Sequence, residues 1–215
     1  MTELVLTLAI LTILGYAIGS VSSGYIVGKV YRNVDIRRVG SGSTGATNTL
    51  RALGAGAAAL VALFDVLKGV LAVLVARSFI PADGWSSLAA GLAGFAAIAG
   101  HCWPALLEGR GGRGVATGFG TILLIAWPSW SIAVPVFVLA IAVTRVVSIG
   151  SLAGLVTVSL SYLAFSAAGA TRLDPTIFAY LVLGSLLVIW RHRHNLARII
   201  RGTEPRIGER LAPGA

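Results

Sequence analysis

Leu4-Val5-Leu6-Thr7-Leu8-Ala9-Ile10-Leu11-Thr12-Ile13-Leu14-Gly15-Tyr16-Ala17-Ile18-Gly19 begins an apolar run that meets no charged residue before Lys29. A bilayer core about 30 Å thick takes about 20 helical residues to cross, and an uncharged run of this length reads as a membrane span. It is too long for the apolar region of a signal peptide, and Met1, Thr2 and Glu3 lack the basic start of one. The same pattern recurs along the chain. Helices are expected near 4–28, 53–76, 84–107, 112–127, 129–145, 148–168 and 175–191. Charged residues are 12% of the 215-residue chain, about half the share in a soluble domain. The expected fold is an all-α integral membrane protein of about seven transmembrane helices. Residues 1–200 form one domain and 201–215 a short polar tail.

The net charge of +9 would suggest nucleic acid in a soluble protein. In a membrane protein it marks cytoplasmic loops, and no nucleic-acid partner is expected. Lys29, Arg32, Arg37, Arg38 and Arg51 follow helix 1, Arg110 and Arg113 follow helix 3, and Arg145 follows helix 5. Arg191, Arg193, Arg198, Arg201, Arg206 and Arg210 follow helix 7. The opposite loops hold only Arg77 and Arg172, beside Asp83 and Asp174. The N-terminus is therefore expected outside and the C-terminus in the cytoplasm, as an odd span count requires. Trp85, Trp103, Trp127, Trp130 and Trp190 fall near helix ends, where amphipathic aromatics settle. The single Cys102 excludes an intrachain disulfide and reads as a packing residue.

Three cytoplasmic segments carry polar chemistry. The first runs Gly40-Ser41-Gly42-Ser43-Thr44-Gly45-Ala46-Thr47-Asn48-Thr49-Leu50-Arg51. Glycines let successive N–H groups curl around an anion, hydroxyls and Asn48 add neutral hydrogen bonds, and Arg51 supplies a planar cation suited to phosphate. The second holds His101 and then Gly109-Arg110-Gly111-Gly112-Arg113-Gly114 before helix 4. It resembles an anion cradle at a helix N-terminus. Helix 4 is short for a span, so this loop is expected to dip to the membrane surface, where irregular backbone is tolerated beside a cavity or inside protein. His101 is as readily a buried structural histidine as a catalytic one. The third is Trp190-Arg191-His192-Arg193-His194-Asn195, continuing to Arg198, Arg201 and Glu204. If helix 7 continues, His192 and Asn195 share a face.

Asp65 and Lys68 stand inside helix 2, where charge is costly and turns inward. Their spacing allows a mutual ion pair, as structural support or as a polar wall of the site. Gly15/Gly19, Gly114/Gly118 and Gly150/Gly154 read as close helix contacts. No nucleophile–His–acid order, paired catalytic carboxylates or metal cluster is visible. The inner face is rich in donors, which suits reactions on phosphates, where positioning and charge neutralisation dominate.

At these residues the sequence resembles the bacterial acyl-phosphate:glycerol-3-phosphate acyltransferases. The resemblance rests on Gly19-Ser20, Gly24 and Gly28-Lys29, the Gly40–Arg51 loop, Asp65 with Lys68-Gly69, Gly100–Gly118 and Trp190–Glu204. It implies a seven-helix enzyme of the bacterial inner membrane with its site facing the cytoplasm. Such an enzyme moves an acyl chain from acyl phosphate to the 1-hydroxyl of glycerol 3-phosphate, giving lysophosphatidic acid and phosphate, with no metal or other cofactor. By the same resemblance Ser41 and Arg51 are the essential pair of the first loop. His192 and Asn195 bind glycerol 3-phosphate and orient its hydroxyl, and the Gly111, Gly112, Arg113 and Gly114 turn holds a substrate phosphate. Gly40, Gly42, Thr47, Asn48, Lys68, His101 and Arg191 complete the expected binding set, and Glu204 is a structural acid. The family pattern has Lys at Arg113, Asn near Ser43, Glu at His194 and a proline near Ser22-Ser23. Two other readings stay open at this point: a transporter of small phosphorylated anions, and a non-catalytic relative that binds lipid.

Overall fold

The computed structural model describes residues 1–80 and 84–209; Asp83, Arg210 and the end of the polar tail lie outside the described residues. The chain is helical and divides into two compact units, Met1–Ile125 and Ala126–Ala215.

The first unit contains α1 (Thr2–Ser20), α2 (Ser23–Arg32), α3 (Ala46–Leu53), α4 (Ala55–Phe79), α5 (Ser86–Cys102) and α6 (Val115–Ile125). Its interior is made of small residues. Ala89, Ala90, Ala93, Ala96 and Ala97 of α5 are buried, and α1 lies directly on them. A side chain at Gly15 or Gly19 would strike the Ala93 or Ala97 backbone. Gly69 and Gly120 bring α4 and α6 equally close, against Thr117 and Val66. Without water to drive association, membrane helices gain their attraction from such close backbone packing. Large apolar residues such as Leu6, Ile13, Phe64 and Leu71 are exposed instead, as a lipid-facing surface requires. Cys102 is fully buried.

The second unit contains α7 (Trp127–Thr144), α8 (Val147–Ala167), α9 (Pro175–Arg191) and α10 (Arg193–Ile200). Arg145 turns α7 into α8 in a left-handed conformation, at φ 60°. Gly150 admits Phe137 and Ile141 of α7 against α8. Asp174 caps α9 by accepting from the Thr176 and Ile177 amides at 2.8 and 3.3 Å, the usual use of an acid at this position.

The structure adds detail to the expected helices. The helix expected over 4–28 breaks at Val21-Ser22, and both residues take extended backbone angles. Helix 7, expected near 175–191, is α9; it stops at His192, where α9 and α10 meet at a 62° bend. Among the described residues five helical stretches are long and apolar enough to cross a bilayer, and six if the bent pair is one span. The remaining expected span, α6, has only 11 residues. Of the glycine pairs, Gly15/Gly19 and Gly150 do pack closely. Gly114 serves instead through its φ of 88°, and Gly118 makes only an ordinary contact with Ile98.

Candidate active site

The Gly40–Arg51 segment is an ordered turn leading into α3. Gly40 and Gly42 both adopt left-handed φ, 58° and 69°, which side chains resist. Asn48, on the first turn of α3, organises everything before it. Its Oδ1 accepts from the Ser41 amide at 2.9 Å. Its Nδ2 shares two N–H groups among the carbonyls of Ile36, Val39 and Ser43, at 3.0, 2.9 and 2.9 Å. The side chain is buried and bonded to the loop backbone, so it shapes the turn. Ser41 is exposed on that turn, while Thr47 and Arg51 are half-buried on α3.

Upstream, Asp35 caps a single 3-10 turn at Ile36–Arg38 by accepting from the Arg37 amide at 3.0 Å. It also pairs with the Arg37 guanidinium at 3.0 and 2.8 Å. That hydrogen-bonded guanidinium holds the Asp35 carboxyl down at about 2. The turn is docked on α2: a side chain at Gly24 would collide with the Thr44 carbonyl.

The expected ion pair of α4 exists. Lys68 Nζ lies 2.8 Å from Asp65 Oδ1, 2.9 Å from the Val21 carbonyl and 2.9 Å from His101 Nδ1. An ammonium has three N–H donors, and these three partners account for all of them. The Val21 carbonyl belongs to the α1–α2 break, so Lys68 satisfies backbone that an unbroken helix would pair itself. Asp65 Oδ1 also accepts from Ser23 Oγ at 2.6 Å. Asp65, Lys68 and His101 are all buried. In this structure its donors are engaged within the protein.

The second glycine turn rests on His101. The Gly112 amide donates to the His101 carbonyl at 3.0 Å, and a side chain at Gly112 would overlap His101 Nε2. A side chain at Gly111 would strike the His101 and Cys102 carbonyls. Gly111, Gly112 and Gly114 are buried and Arg113 half-buried at the entrance to α6. Beside this polar cluster lies a groove of about 650 Å³ between α1–α2 and α4. Ile18, Val21, Ile26, Phe64, Leu71 and Leu74 line it, and Ser23 and Lys68 close one part of it. The size suits a small-molecule site, which typically spans ~300–1000 Å³.

In the second unit, His192 sits at the α9–α10 bend. Its Nδ1 lies 2.8 Å from the Val188 carbonyl. A carbonyl only accepts, so Nδ1 carries a proton, and in the neutral ring Nε2 holds the lone pair. Asn195, on the first turn of α10, donates through Nδ2 to Glu204 Oε1, leaving its own carbonyl oxygen as the acceptor end. Glu204 also accepts from Ser148 Oγ at 2.8 Å and Arg198 Nε at 2.7 Å. Both His192 and Asn195 are buried, and Arg191 is half-buried beside them in sequence. The segment carrying Glu204 is tied down further on. Ile207 donates its amide to the Arg145 carbonyl and accepts from the Arg145 guanidinium, each at 2.7 Å.

Burial pushes the Glu204 carboxyl up, but hydrogen bonds from Asn195, Ser148 and Arg198 outweigh it and hold the group below its ordinary range. A carboxyl depressed in the folded state contributes stability above its unfolded value, ~4.3. That contribution is lost as pH falls through the lower folded value. Glu204→Gln is therefore expected to lower the thermal midpoint by several degrees at neutral pH. The difference from wild type should shrink on acidification below about pH 4. Thermal unfolding in lipid across that range checks it.

The sequence missed two features. Asn48 reads as a ligand donor because a side-chain amide serves a backbone and a substrate equally well. The Lys68–His101 contact joins residues far apart in the chain; only the cost of charge inside a span pointed toward a partner.

Long apolar helices with large apolar side chains exposed to lipid define a helical membrane protein, with two ordered glycine turns and a buried polar cluster. A family model described as "Glycerol-3-phosphate acyltransferase" matches residues 9–202, and the chain belongs to that family. It is 44% identical over 207 residues to a glycerol-3-phosphate acyltransferase of a Synechococcus species, covering 96% of this chain and 98% of the relative. The fold is similar to the solved structure of PlsY (YgiH), an integral membrane glycerol 3-phosphate acyltransferase, in its glycerol 3-phosphate form. That likeness has a TM-score of 0.81 at 31% identity, covering 94% of this chain and 96% of the other. The lysophosphatidic acid form of the same enzyme matches with a TM-score of 0.81 at 30% identity, covering 94% and 95%.

Proposed function

We propose that this chain transfers a fatty acyl group from acyl phosphate to the 1-hydroxyl of glycerol 3-phosphate, releasing lysophosphatidic acid and phosphate. The observation that carries this reading is the apolar groove of the first unit with a polar, glycine-flanked cluster at one part of it. That layout fits a substrate with a long hydrocarbon tail and a phosphorylated head. Family membership supplies the acceptor, since the relatives are named for glycerol 3-phosphate.

In this reading the tail occupies the groove. Ser41 and Arg51 act on the acyl phosphate from the first turn, with Gly40 and Gly42 shaping its backbone and Thr47 adding a hydroxyl. The Gly111–Gly114 turn with Arg113 holds a substrate phosphate. Arg191, His192 and Asn195 serve glycerol 3-phosphate. Attack by the glycerol oxygen on the acyl carbon forms the new ester, and the acyl–phosphate bond breaks with its electrons passing to the departing phosphate. The glycerol hydroxyl must lose a proton on the way. His192 Nε2 has the lone pair for it, and an oxygen of the acyl phosphate is the competing acceptor. The protein crosses the bacterial inner membrane with its N-terminus outside and its basic loops, tail and active site in the cytoplasm.

The test is phosphate release by purified protein in lipid, given palmitoyl phosphate with or without glycerol 3-phosphate. Release that requires both substrates and yields lysophosphatidic acid is expected, with loss of at least ~100-fold in Arg51→Ala, the order of a removed charged transition-state donor. In sealed vesicles the acceptor should work only from the cytoplasmic side. Glycerol 3-phosphate crossing the vesicle wall without turnover would instead make the protein a transporter.

A further inference from the structure

One chain of contacts in the first unit joins elements far apart in the sequence. The Thr44 carbonyl lies on Gly24, next to Ser23. Ser23 donates to Asp65, which pairs with Lys68. Lys68 holds both the Val21 carbonyl at the helix break and His101 Nδ1. His101 in turn supports Gly112 through its carbonyl and its ring. The first glycine turn, the polar part of the groove and the second glycine turn are therefore fixed to one buried cluster.

We propose that Asp65, Lys68 and His101 are positioning residues that set the Gly111–Gly114 turn in register with the polar part of the groove, without themselves touching substrate. This rests on the acyltransferase reading above. Three observations carry it. Lys68 has no donor left over, since its three N–H groups meet three acceptors. The lysine also fixes the imidazole. The same Nδ1 lies 2.9 Å from the Lys68 ammonium and 3.3 Å from Asp65 Oδ1, so both members of the charge pair hold one corner of the ring. Nε2, on the ring's other side, lies against Gly112. Finally, Gly112 is glycine because the ring occupies the space a side chain would fill. Ring and turn are fitted to each other, and the ring's orientation is set from behind by a charge pair that lipid cannot solvate. A misplaced anion cradle is costly, since a shift of about 1 Å from productive geometry can lose ~100-fold in rate.

The experiment is a double-mutant cycle on the full chain in lipid with Gly112→Ala, His101→Asn and both together. KM and kcat are measured for palmitoyl phosphate and for glycerol 3-phosphate, alongside thermal midpoints. His101→Asn keeps an acceptor for Lys68 and removes the ring atoms beside Gly112. Gly112→Ala alone is expected to raise the KM of the substrate held by the turn at least ~30-fold, because the methyl displaces the turn from the ring. In the His101→Asn background the same methyl should cost less than ~3-fold. A second pair covers the buried charges: Lys68→Met should lower kcat/KM about 100-fold by stranding Asp65. Asp65→Asn with Lys68→Met, which removes both charges, should recover at least ~10-fold of that. The proposal is overturned if Gly112→Ala costs the same in both backgrounds. It is overturned equally if the neutral double variant folds and remains as poor as Lys68→Met, which would make Lys68 a substrate ligand. An inactive wild-type protein would refute the acyltransferase reading instead, and the thermal midpoints of the Gly112 and His101 cycle would still report whether ring and turn are coupled.

Discussion

Removing the His192 imidazole, as His192→Ala, is expected to lower kcat by ~100- to 10,000-fold, the range over which a positioned acid–base group acts. The argument is the tautomer. The Val188 carbonyl fixes the proton on Nδ1 at 2.8 Å, so Nε2 is the basic nitrogen, and the 62° bend between α9 and α10 keeps the ring at a helix terminus. His192→Gln is the informative comparison, because its amide can donate or accept but cannot take a proton at neutral pH. If His192 removes the glycerol proton, Gln should be as inactive as Ala while the KM for glycerol 3-phosphate stays near that of wild type. If it only orients the hydroxyl and a substrate phosphate takes the proton, Gln should recover at least ~10-fold over Ala, since an orienting hydrogen bond needs no proton transfer. Steady-state kinetics with saturating palmitoyl phosphate separate the two.

The second large effect is expected at Asn48, which braces the first glycine turn from within. Asn48→Ala leaves the Ser41 amide and the carbonyls of Ile36, Val39 and Ser43 without their shared partner. A buried polar group left unsatisfied costs ~1–3 kcal/mol. Several such losses exceed what one short turn can hold, so the Gly40–Gly45 segment should open while the membrane helices stay folded. A fall in kcat/KM of at least ~1000-fold follows, with little change in the thermal midpoint of the whole protein. The sharper variant is Asn48→Asp. It keeps the shape and the acceptor for Ser41, but it turns a second carboxylate oxygen toward three carbonyl oxygens. Like-signed dipoles then replace the shared amide hydrogen bonds, so Asp should rescue nothing. Partial rescue by Asp would mean that the single bond to Ser41 dominates.

These two residues show where sequence reading succeeded and where it stopped. Apolar runs and basic loops were legible because the bilayer imposes length and charge rules that one chain must obey alone. Asp65 and Lys68 were legible as a pair because their spacing places them together on any helix. The break at Val21-Ser22 was not, since two serines carry no strong helix-stopping signal; its cause lies in Lys68, which stabilises the freed carbonyl. The bend at His192 was hidden for the same reason, as the Arg-His-Arg-His run is compatible with continued helix. The 11-residue α6 was foreshadowed by the short interval between Gly112 and Pro128. His192 and Asn195 were named through family resemblance. Their division into a proton-holding bend and a Glu204-anchored amide needed coordinates.

The alanine–glycine interior of α5 inverts the usual logic of tolerance. In most proteins the largest buried side chains are the fragile positions, and truncating them opens cavities. Here the face of α5 that meets α1 is mostly alanine, and damage comes from addition: one methyl at Gly15, Gly19 or Gly69 strikes neighbouring backbone. A map of every single substitution should therefore show bulky apolar positions such as Ile13 and Leu71 accepting many replacements. The smallest residues should accept almost none. Drift over generations would then be free on the lipid-facing surface and frozen along a thin line of hydrogens and methyls, so this bundle would record its ancestry in its alanines and glycines.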